Sequence, residues 1–336
     1  MDPFEKVEIG DTGVSVTRLG LGGAPLGGMV LADGIYQGCG YAEALEIIRR
    51  AWEMGVRYFD TAPLYGEGRS EVRCGRVLAQ LPRGSFAVST KGGRLLRPDP
   101  ENPQPWSEEE IPRCTCDFDF SAEGLRASLG SSLERLGLDG VDIFFVHDSD
   151  FKGQHADEVF VEALQTAVEL RASGAVRAVG MGMNEWERTA RMVARFDLDC
   201  VLLAGRYTLL DQSALPELLP QCVERGVRLV IGGPYNSGIL AGDLGRPVSF
   251  DYQPAPDHLV ERARELKAVC DRHGVDLRAA ALQFPFGHEA VISVVPGAAS
   301  VAELEANARL MQEEIPPALW AELEAGELLP EGVAPR

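Results

Sequence analysis

The fold class the sequence predicts is α/β: a closed (β/α)8 TIM barrel with an N-terminal β-hairpin and long loops at the C-terminal face. Three observations predict it. Strand-like apolar runs alternate with helix-like amphipathic runs along most of the 336-residue chain, which implies a parallel sheet covered by helices. Counting a short strand at 19–21, the alternation makes eight units, the number that closes a barrel. Several strands also end in an ionisable side chain, and in a barrel those ends meet at the face where chemistry is done.

Each element has its own signal. Val7-Glu8-Ile9 and Val14-Ser15-Val16 flank Gly10-Asp11-Thr12-Gly13, whose turn chemistry predicts a hairpin over 5–17. Leu19-Gly20-Leu21-Gly22-Gly23 reads as a strand running into glycines. Helix 42–54 places Ala44, Leu45, Ile47, Ile48 and Trp52 at helical spacing and stops at Gly55. Strand 56–60, helix 70–80 capped by Ser70, and strand 86–90 follow. Helix 121–136 begins at Ser121 and lines up Leu125, Leu129, Leu133 and Leu136. Strand 141–146, helix 157–173, strand 176–181, helix 185–195, strand 200–204, helix 213–225 and strand 227–231 continue the rhythm. Helices 257–273 and 277–286 precede strand 291–295, and helices at 301–311 and 317–326 end the chain. The whole reads as a single domain: the hairpin, a barrel over about 18–312, then a C-terminal helix and tail over 313–336.

An open doubly wound sheet would announce itself by G-x-G-x-x-G after the first strand. Gly20-Leu21-Gly22-Gly23-Ala24-Pro25 fails at the last glycine, and there is no P-loop. Three stretches break the compact rhythm: 28–41, 92–120 with its five prolines, and 232–256. All leave C-terminal strand ends, so they are expected as loops crowning one face, where long loops are usually functional.

Composition excludes several classes. The formal charge is −19 and the pI about 4.7, which argues against nucleic-acid and anionic-membrane partners. No apolar run approaches 18 residues and no secretory signal opens the chain. Seven scattered cysteines, with Cys114-Thr115-Cys116 the closest pair, read as reduced thiols rather than a metal site. A cytoplasmic protein is expected.

The chemistry gathers at strand ends. Of 32 basic residues only Lys6, Lys91, Lys152 and Lys267 are lysine, yet an apolar strand ends in Ser89-Thr90-Lys91. A compact ammonium that bonds in three directions is what arginine cannot imitate there. The neighbouring strands end in Asp60, with Tyr65 five residues on, and in His147. Taken singly, each has a bland explanation: a cap, a packing ring, a solvated charge, a satisfied imidazole. Together they make a proton relay. Asp60 pairs with Lys91, whose ammonium lowers the pKa of Tyr65 from about 10. His147 bonds the same substrate oxygen. The reaction is carbonyl–alcohol interconversion, with hydride from a cofactor because no side chain supplies one.

Phe59-Asp60-Thr61-Ala62-Pro63-Leu64-Tyr65-Gly66, Ser89-Thr90-Lys91 and Val146-His147 resemble the motif segments of the aldo-keto reductases, in order and spacing, across nearly the whole chain. The resemblance implies a catalytic tetrad of Asp60, Tyr65, Lys91 and His147, and a nicotinamide cofactor lying across the C-terminal face. Within the family, 89–98, 201–212 and 230–238 are similar to bacterial aldose 1-dehydrogenases of the L-fucose or D-threo-aldose type. Pyridoxal 4-dehydrogenase is similar in the same stretches. The implied cofactor residues are Gly22, Gly23, Asp60, Asn184, Gly232, Gly233, Pro234, Ser237, Gly238, Leu240, Gly297, Glu303 and Asn307.

Two departures from the family bear on the cofactor. Gly232 stands where many members carry a tyrosine stacked on the nicotinamide, a role left absent or taken by Tyr235. Gly297 and Glu303 stand where NADPH-preferring members carry the lysine and arginine that grip the 2′-phosphate. A carboxylate repels that phosphate and can accept a ribose hydroxyl, so NAD is expected over NADP; Glu303 is also explicable as a first-turn helix acid. Tyr36, Trp106, Phe118 and Phe151 are candidate pocket aromatics, and Asp148 and Asp150 candidate sugar-binding carboxylates. The expected reaction is NAD-dependent oxidation of an aldose at C1 to its lactone. The alternatives are an aldehyde, ketone or pyridoxal oxidoreductase, or a nucleotide-sensing binding module.

Overall fold

The computed structural model describes residues 1–28, 38–98, 114–147, 157–251 and 253–335. Strands β1 (Lys6–Glu8) and β2 (Ser15–Thr17) form the N-terminal hairpin. Then come β3 (Leu21–Gly22), α1 (Tyr41–Met54), β4 (Tyr58–Asp60), α2 (Arg69–Leu78), β5 (Ala87–Gly92), β6 (Arg94–Pro98), β7 (Cys114–Phe118), α3 (Ala122–Leu136) and β8 (Ile143–His147). The second half runs through α4 (Asp157–Ala172), β9 (Ala178–Met183), α5 (Trp186–Arg195), β10 (Cys200–Ala204), α6 (Leu218–Arg225), β11 (Arg228–Gly232), β12 (Ser249–Phe250) and β13 (Gln253–Pro254). It ends with α7 (Asp257–Arg272), α8 (Leu277–Gln283), β14 (Val291–Val295), α9 (Val301–Gln312) and α10 (Pro317–Ala325).

Eight strands lie side by side in the order β3, β4, β5, β8, β9, β10, β11, β14, all parallel. The sheet closes into the expected barrel where Leu19 bridges Val294 and Gly22 bridges Gly297. Gly20 N donates to Val294 O at 2.9 Å and Gly22 N to Pro296 O at 3.0 Å. Closure is tight enough to require glycine. A Cβ on Gly22 would lie 2.7 Å from Val295 O, and one on Gly20 would lie 2.8 Å from both the Tyr58 and Val295 side chains.

Side chains alternate across each strand. Tyr58, Ala87, Ile143, Phe145, Ala178, Cys200, Leu202, Val230 and Ile292 point inward and fill the barrel with Ile9, Val14 and Val16 of the hairpin. Several are the first residues of their strands, so the hairpin plugs the N-terminal end. Phe59, Val88, Phe144, Val146, Val179 and Val201 point outward into the larger core beneath the helices. Asp60, Lys91 and His147 fall on the inward positions of β4, β5 and β8. The period of two therefore aims all three at the barrel axis.

Four expectations are corrected. Residues 92–120 are not loop throughout: β6 and β7 pair antiparallel from Arg94 opposite Phe118 to Pro98 opposite Cys114. Both strands are partly exposed on both faces, so no apolar alternation marked them. The stretch 232–256 contains the small β12–β13 hairpin. α6 starts at Leu218 rather than 213, since the residue before Pro216 is steered away from helical geometry. α8 ends at Gln283 and a 3-10 turn, Phe284–Gly287, replaces its last turn, with Pro285 in its first positions. Among the described residues no helix is long and apolar enough to cross a membrane.

Candidate active site

The loop after β4 is stapled in place by two glycines. A Cβ on Gly66 would lie 2.1 Å from Gly27 O, and one on Gly27 would lie 2.7 Å from Tyr65 O. Gly66 also has φ +63°. Ser70 Oγ donates to Gly23 O at 2.7 Å and accepts from Thr61 Oγ1 at 2.8 Å. This close approach hangs Tyr65, half-buried, over the barrel mouth.

Lys91 lies beneath it, 1% exposed. Its Nζ donates to Asp60 Oδ1 at 2.9 Å and Oδ2 at 2.7 Å, to Thr61 O at 2.9 Å and to the Tyr65 hydroxyl at 3.1 Å. Burial pulls the Lys91 pKa below the usual lysine value, opposed by the Asp60 charge. The paired carboxylate is what makes an ammonium tolerable at this depth. Asp60 is itself braced: Ser89 Oγ donates to Asp60 Oδ1 at 2.7 Å and sits 3.1 Å from the Tyr58 hydroxyl. With the Ser89 proton directed at Asp60, Tyr58 is the donor of the second bond.

Behind Lys91 the outward-facing Thr90 donates to buried Glu71 at 2.6 Å, and Arg135 Nε bonds the other Glu71 oxygen at 2.6 Å. These contacts lock β5 to α2 and α3. Ser89, Tyr58, Thr90 and Glu71 were not among the expected site residues. For Ser89 and Tyr58 the signal was available: each is two positions before Lys91 or Asp60, hence on the same inward face.

His147 completes the mouth. Its ring stands edge-on to Tyr65, centroids 6.1 Å apart, and is 5% exposed. Burial, then the charges of Arg94 and Lys91, hold its pKa well below the usual histidine value. Nδ1 is buried with no hydrogen-bond partner. A proton on Nδ1 would be stranded at a cost of about 1–3 kcal/mol, so the tautomer assigned from this network carries it on Nε2. The four groups together can abstract a proton at Tyr65, stabilise the resulting phenolate through Lys91, and donate a hydrogen bond from His147.

The other expected site residues divide. Asn184 follows β9 at the same end of the barrel, half-buried. Gly232 ends β11, and the chain beyond it winds tightly, with positive φ at Gly233 (55°), Asn236 (46°), Ser237 (56°) and Gly238 (94°). Nothing lies within 4 Å of a Cβ built on Gly233 or Gly238, so their open faces form a side-chain-free cradle; Pro234 and Leu240 in the same segment are buried, Leu240 in the core. Gly22, Gly23 and Gly297 have a different cause. A Cβ on Gly23 would lie 2.6 Å from Asp60 O, and one on Gly297 2.6 Å from the Pro25 ring, so close packing alone requires them.

Tyr235 turns towards α9, its hydroxyl donating to Asn307 Oδ1 at 2.7 Å. Glu303 accepts from Ala299 N at 2.8 Å, and its own amide donates to the Ser300 Oγ cap at 3.2 Å. Glu303 therefore has a capping role of the kind helix termini favour, and no lysine or arginine stands at 297 or 303. Phe118 lies on β7, exposed, beneath the Arg94 guanidinium and stacked on Phe120. Tyr36, Trp106, Asp148, Asp150 and Phe151 lie outside the described residues. Among the described residues no cluster of His, Cys, Asp or Glu could hold a metal ion, and none of the seven cysteines is in a disulfide.

Comparison with known proteins agrees with this architecture. The model of the Aldo/keto reductase family matches residues 18–327. The chain is 39% identical over 324 residues to a D-threo-aldose 1-dehydrogenase of Pseudomonas sp, covering 95% of this chain and 96% of the relative. It is also 39% identical over 343 residues to a pyridoxal 4-dehydrogenase of Microbacterium luteolum, covering 97% and 98%. The holo form of an aldo-keto reductase from Bacillus halodurans superposes with TM-score 0.74 at 22% identity, covering 99% of this chain and 98% of that one. That last likeness speaks to the fold alone.

Proposed function

Since the chain belongs to the aldo/keto reductase family and is an oxidoreductase, we propose that it oxidises an aldose at C1 to the lactone, with NAD as hydride acceptor. The observation that carries the reading is the Lys91 ammonium lying between the Asp60 carboxylate and, at 3.1 Å, the Tyr65 hydroxyl. Tyr65 takes the proton of the anomeric hydroxyl. Lys91, donating into the phenol oxygen, favours the phenolate that can do so. His147, neutral and donating from Nε2, holds the same substrate oxygen, and Asp60 with Ser89 fixes Lys91. Positioned acid–base catalysis of this kind contributes about 10²–10⁴ in rate.

The cradle at 233–238 and the polar groups around it suit a nicotinamide dinucleotide. Asn184 would hold the carboxamide, the turn after β11 the pyrophosphate, and Asn307 with Glu303 the adenosine end; Gly22 and Gly23, whose amides are spent on Pro296 O and Asp60 O, let the chain pack closely beneath. Bound there, the nicotinamide supplies the acceptor for the hydride leaving C1. The preference for NAD follows from charge: a carboxylate at 303, with no cation at 297, disfavours a 2′-phosphate. Among substrates, the aldose and pyridoxal readings are supported by relatives of equal identity. The four groups suit the anomeric hydroxyl of a sugar and the hemiacetal hydroxyl of pyridoxal alike, so the substrate test below includes both.

The test is NADH formation at mildly alkaline pH with L-fucose, other aldoses and pyridoxal, each with NAD and NADP, beside Tyr65→Phe. Turnover of a sugar with NAD, reduced at least about 10²-fold in Tyr65→Phe, is the expected result. Turnover of pyridoxal alone, or reduction of simple aldehydes with NADPH alone, would replace the substrate or cofactor assignment. Retained nucleotide without turnover of any of these would favour a nucleotide-sensing module.

A further inference from the structure

The chain leaving β11 turns through two consecutive non-glycine residues in the left-handed region, Asn236 at φ 46° and Ser237 at φ 56°. Such backbone persists only where the surroundings over-determine it, and asparagine is one of the few residues that visits it readily. The surroundings converge on Asn236, which is 3% exposed and has both ends of its amide bonded. Nδ2 donates to Gly205 O at 3.0 Å, and Oδ1 accepts from Thr208 Oγ1 at 2.6 Å. A backbone carbonyl can only accept, so the Gly205 contact assigns the orientation of the amide. Thr208 Oγ1 accepts from Asp211 N at 3.0 Å, which leaves its proton for Asn236.

Gly205 and Thr208 belong to the loop after β10, and that loop is fixed independently of Asn236. Gly205 N donates to Gly232 O at 3.1 Å, Thr208 N to Asp211 O at 2.7 Å and Ala214 N to Arg206 O at 3.1 Å. Arg206 holds Asp251, at the turn of the β12–β13 hairpin, through two bonds of 2.9 and 2.6 Å. Tyr207 and Thr208 are fully buried. Asn236 therefore bolts the cradle at 233–238 to a firm neighbour. Within the cradle, Asn236 N donates to Gly233 O at 2.9 Å and Gly238 N to Tyr235 O at 3.0 Å. The amides of Gly233 and Tyr235 donate to nothing among the described residues.

We propose that Asn236 is a positioning residue of the nucleotide site: its buried amide, bonded to Gly205 and Thr208, holds the turn after β11 in the shape that presents free backbone donors to the pyrophosphate of the dinucleotide. The inference rests on the reading of 233–238 as part of the dinucleotide site. Backbone N–H groups set in turn and left-handed conformations make concavities that bind anions. They do so best when fixed before the ligand arrives, because a loosened turn must be ordered on binding and the cost appears as weaker affinity. Asn236 acts through the backbone, since both ends of its amide are already engaged with the loop after β10. Glycine at 236 would keep the left-handed backbone and remove only the bolt.

The experiment compares Asn236→Gly, Thr208→Val and Thr208→Ser with the parent, all full-length. NADH binding is followed by nucleotide fluorescence, and amide hydrogen exchange is measured by mass spectrometry without nucleotide. In Asn236→Gly the Kd for NADH is expected to rise about tenfold, the effect of losing a buried hydrogen bond, with faster exchange confined to peptides covering 232–242. Thr208→Val removes the same bond from the other side and should do likewise, while Thr208→Ser keeps the hydroxyl and should return both readouts towards the parent. In turnover, KM for NAD should rise while that for the sugar does not. Unchanged NADH affinity in Asn236→Gly and Thr208→Val overturns the proposal. So does faster exchange spread over the whole barrel, which would mark a merely structural role. Should Asn236→Gly not fold, the two Thr208 variants decide. A parent that binds neither NADH nor NADPH would overturn the dinucleotide reading and the proposal with it. A parent that binds NADH but oxidises no sugar would keep the proposal and discard the aldose reading.

Discussion

Lys91 is held by four oxygens, and that coordination decides what can replace it. Lys91→Met leaves the Asp60 carboxylate buried at 3% exposure without its cation. Stranding one partner of a buried pair costs about 3–5 kcal/mol, so urea unfolding of Lys91→Met should show a loss of that order. Adding Asp60→Asn should recover part of it; a double variant no more stable than Lys91→Met would mean that the pair is not coupled. Glu303 gives the second test at this scale. Arginine at 303 places a cation where a 2′-phosphate would lie, and Glu303→Arg is expected to shift kcat/KM towards NADP by about tenfold, the factor that ~1.4 kcal/mol supplies. A lysine at 297 is a poor companion, because its Cβ would meet the Pro25 ring at 2.6 Å. The identities and spacing of Asp60, Tyr65, Lys91 and His147 were legible in the sequence because they sit at strand ends in recognisable segments. Ser89 and Arg94 were not singled out, since an inward serine and an arginine in a long loop carry no local signal of what they touch.

At the scale of elements, α4 and α5 are clamped by one carboxylate. Asp157, in the first turn of α4, accepts from Arg188 Nε at 2.9 Å and from Arg191 Nε at 2.6 Å. The Arg191 hydrogen bond, with that of Arg188, pulls the Asp157 pKa down to about 2. A carboxylate whose folded pKa is depressed contributes stability above its unfolded pKa of about 3.9, and loses it as pH falls towards the folded value. Asp157→Asn should therefore lower Tm at pH 7, by the equivalent of about 1 kcal/mol or less for a partly exposed pair. The gap from the parent should close between about pH 4 and pH 2; a gap that stays constant over that window would show that the charge is not its cause. Most elements were readable from helical spacing, alternation and glycine stops. The β6–β7 hairpin was not, because its strands pair across a long insertion and cover no apolar face. The start of α6 and the end of α8 moved by a few residues, where Pro216 and Pro285 overrule the apolar pattern.

For the molecule as a whole, the charge of −19 is spread over a surface where many arginines are already paired, for example Arg206 with Asp251 at 2.6 Å and Arg171 with Asp199 at 2.6 Å. The unpaired excess repels itself, and added salt screens it within about 8 Å at physiological ionic strength. Tm should rise as NaCl is added from low ionic strength; a fall would mean that attractive pairs outweigh the repulsion. The sequence by itself determined the barrel, because alternating strand and helix periods leave little else for parallel strands and their covering helices to form. It pointed to Asp60, Tyr65, Lys91 and His147 as a candidate site too, since residue type and spacing are local properties. It took the tertiary structure to show that Gly20 and Gly22 close the sheet against β14, that Glu303 is engaged in capping α9, and that Gly92 and Gly93 pass between Phe144 and Phe120 to seat Arg94 over Phe118. Those facts depend on distances between segments far apart in the chain. Such distances are set by how side chains pack, and no reading along one dimension contains them.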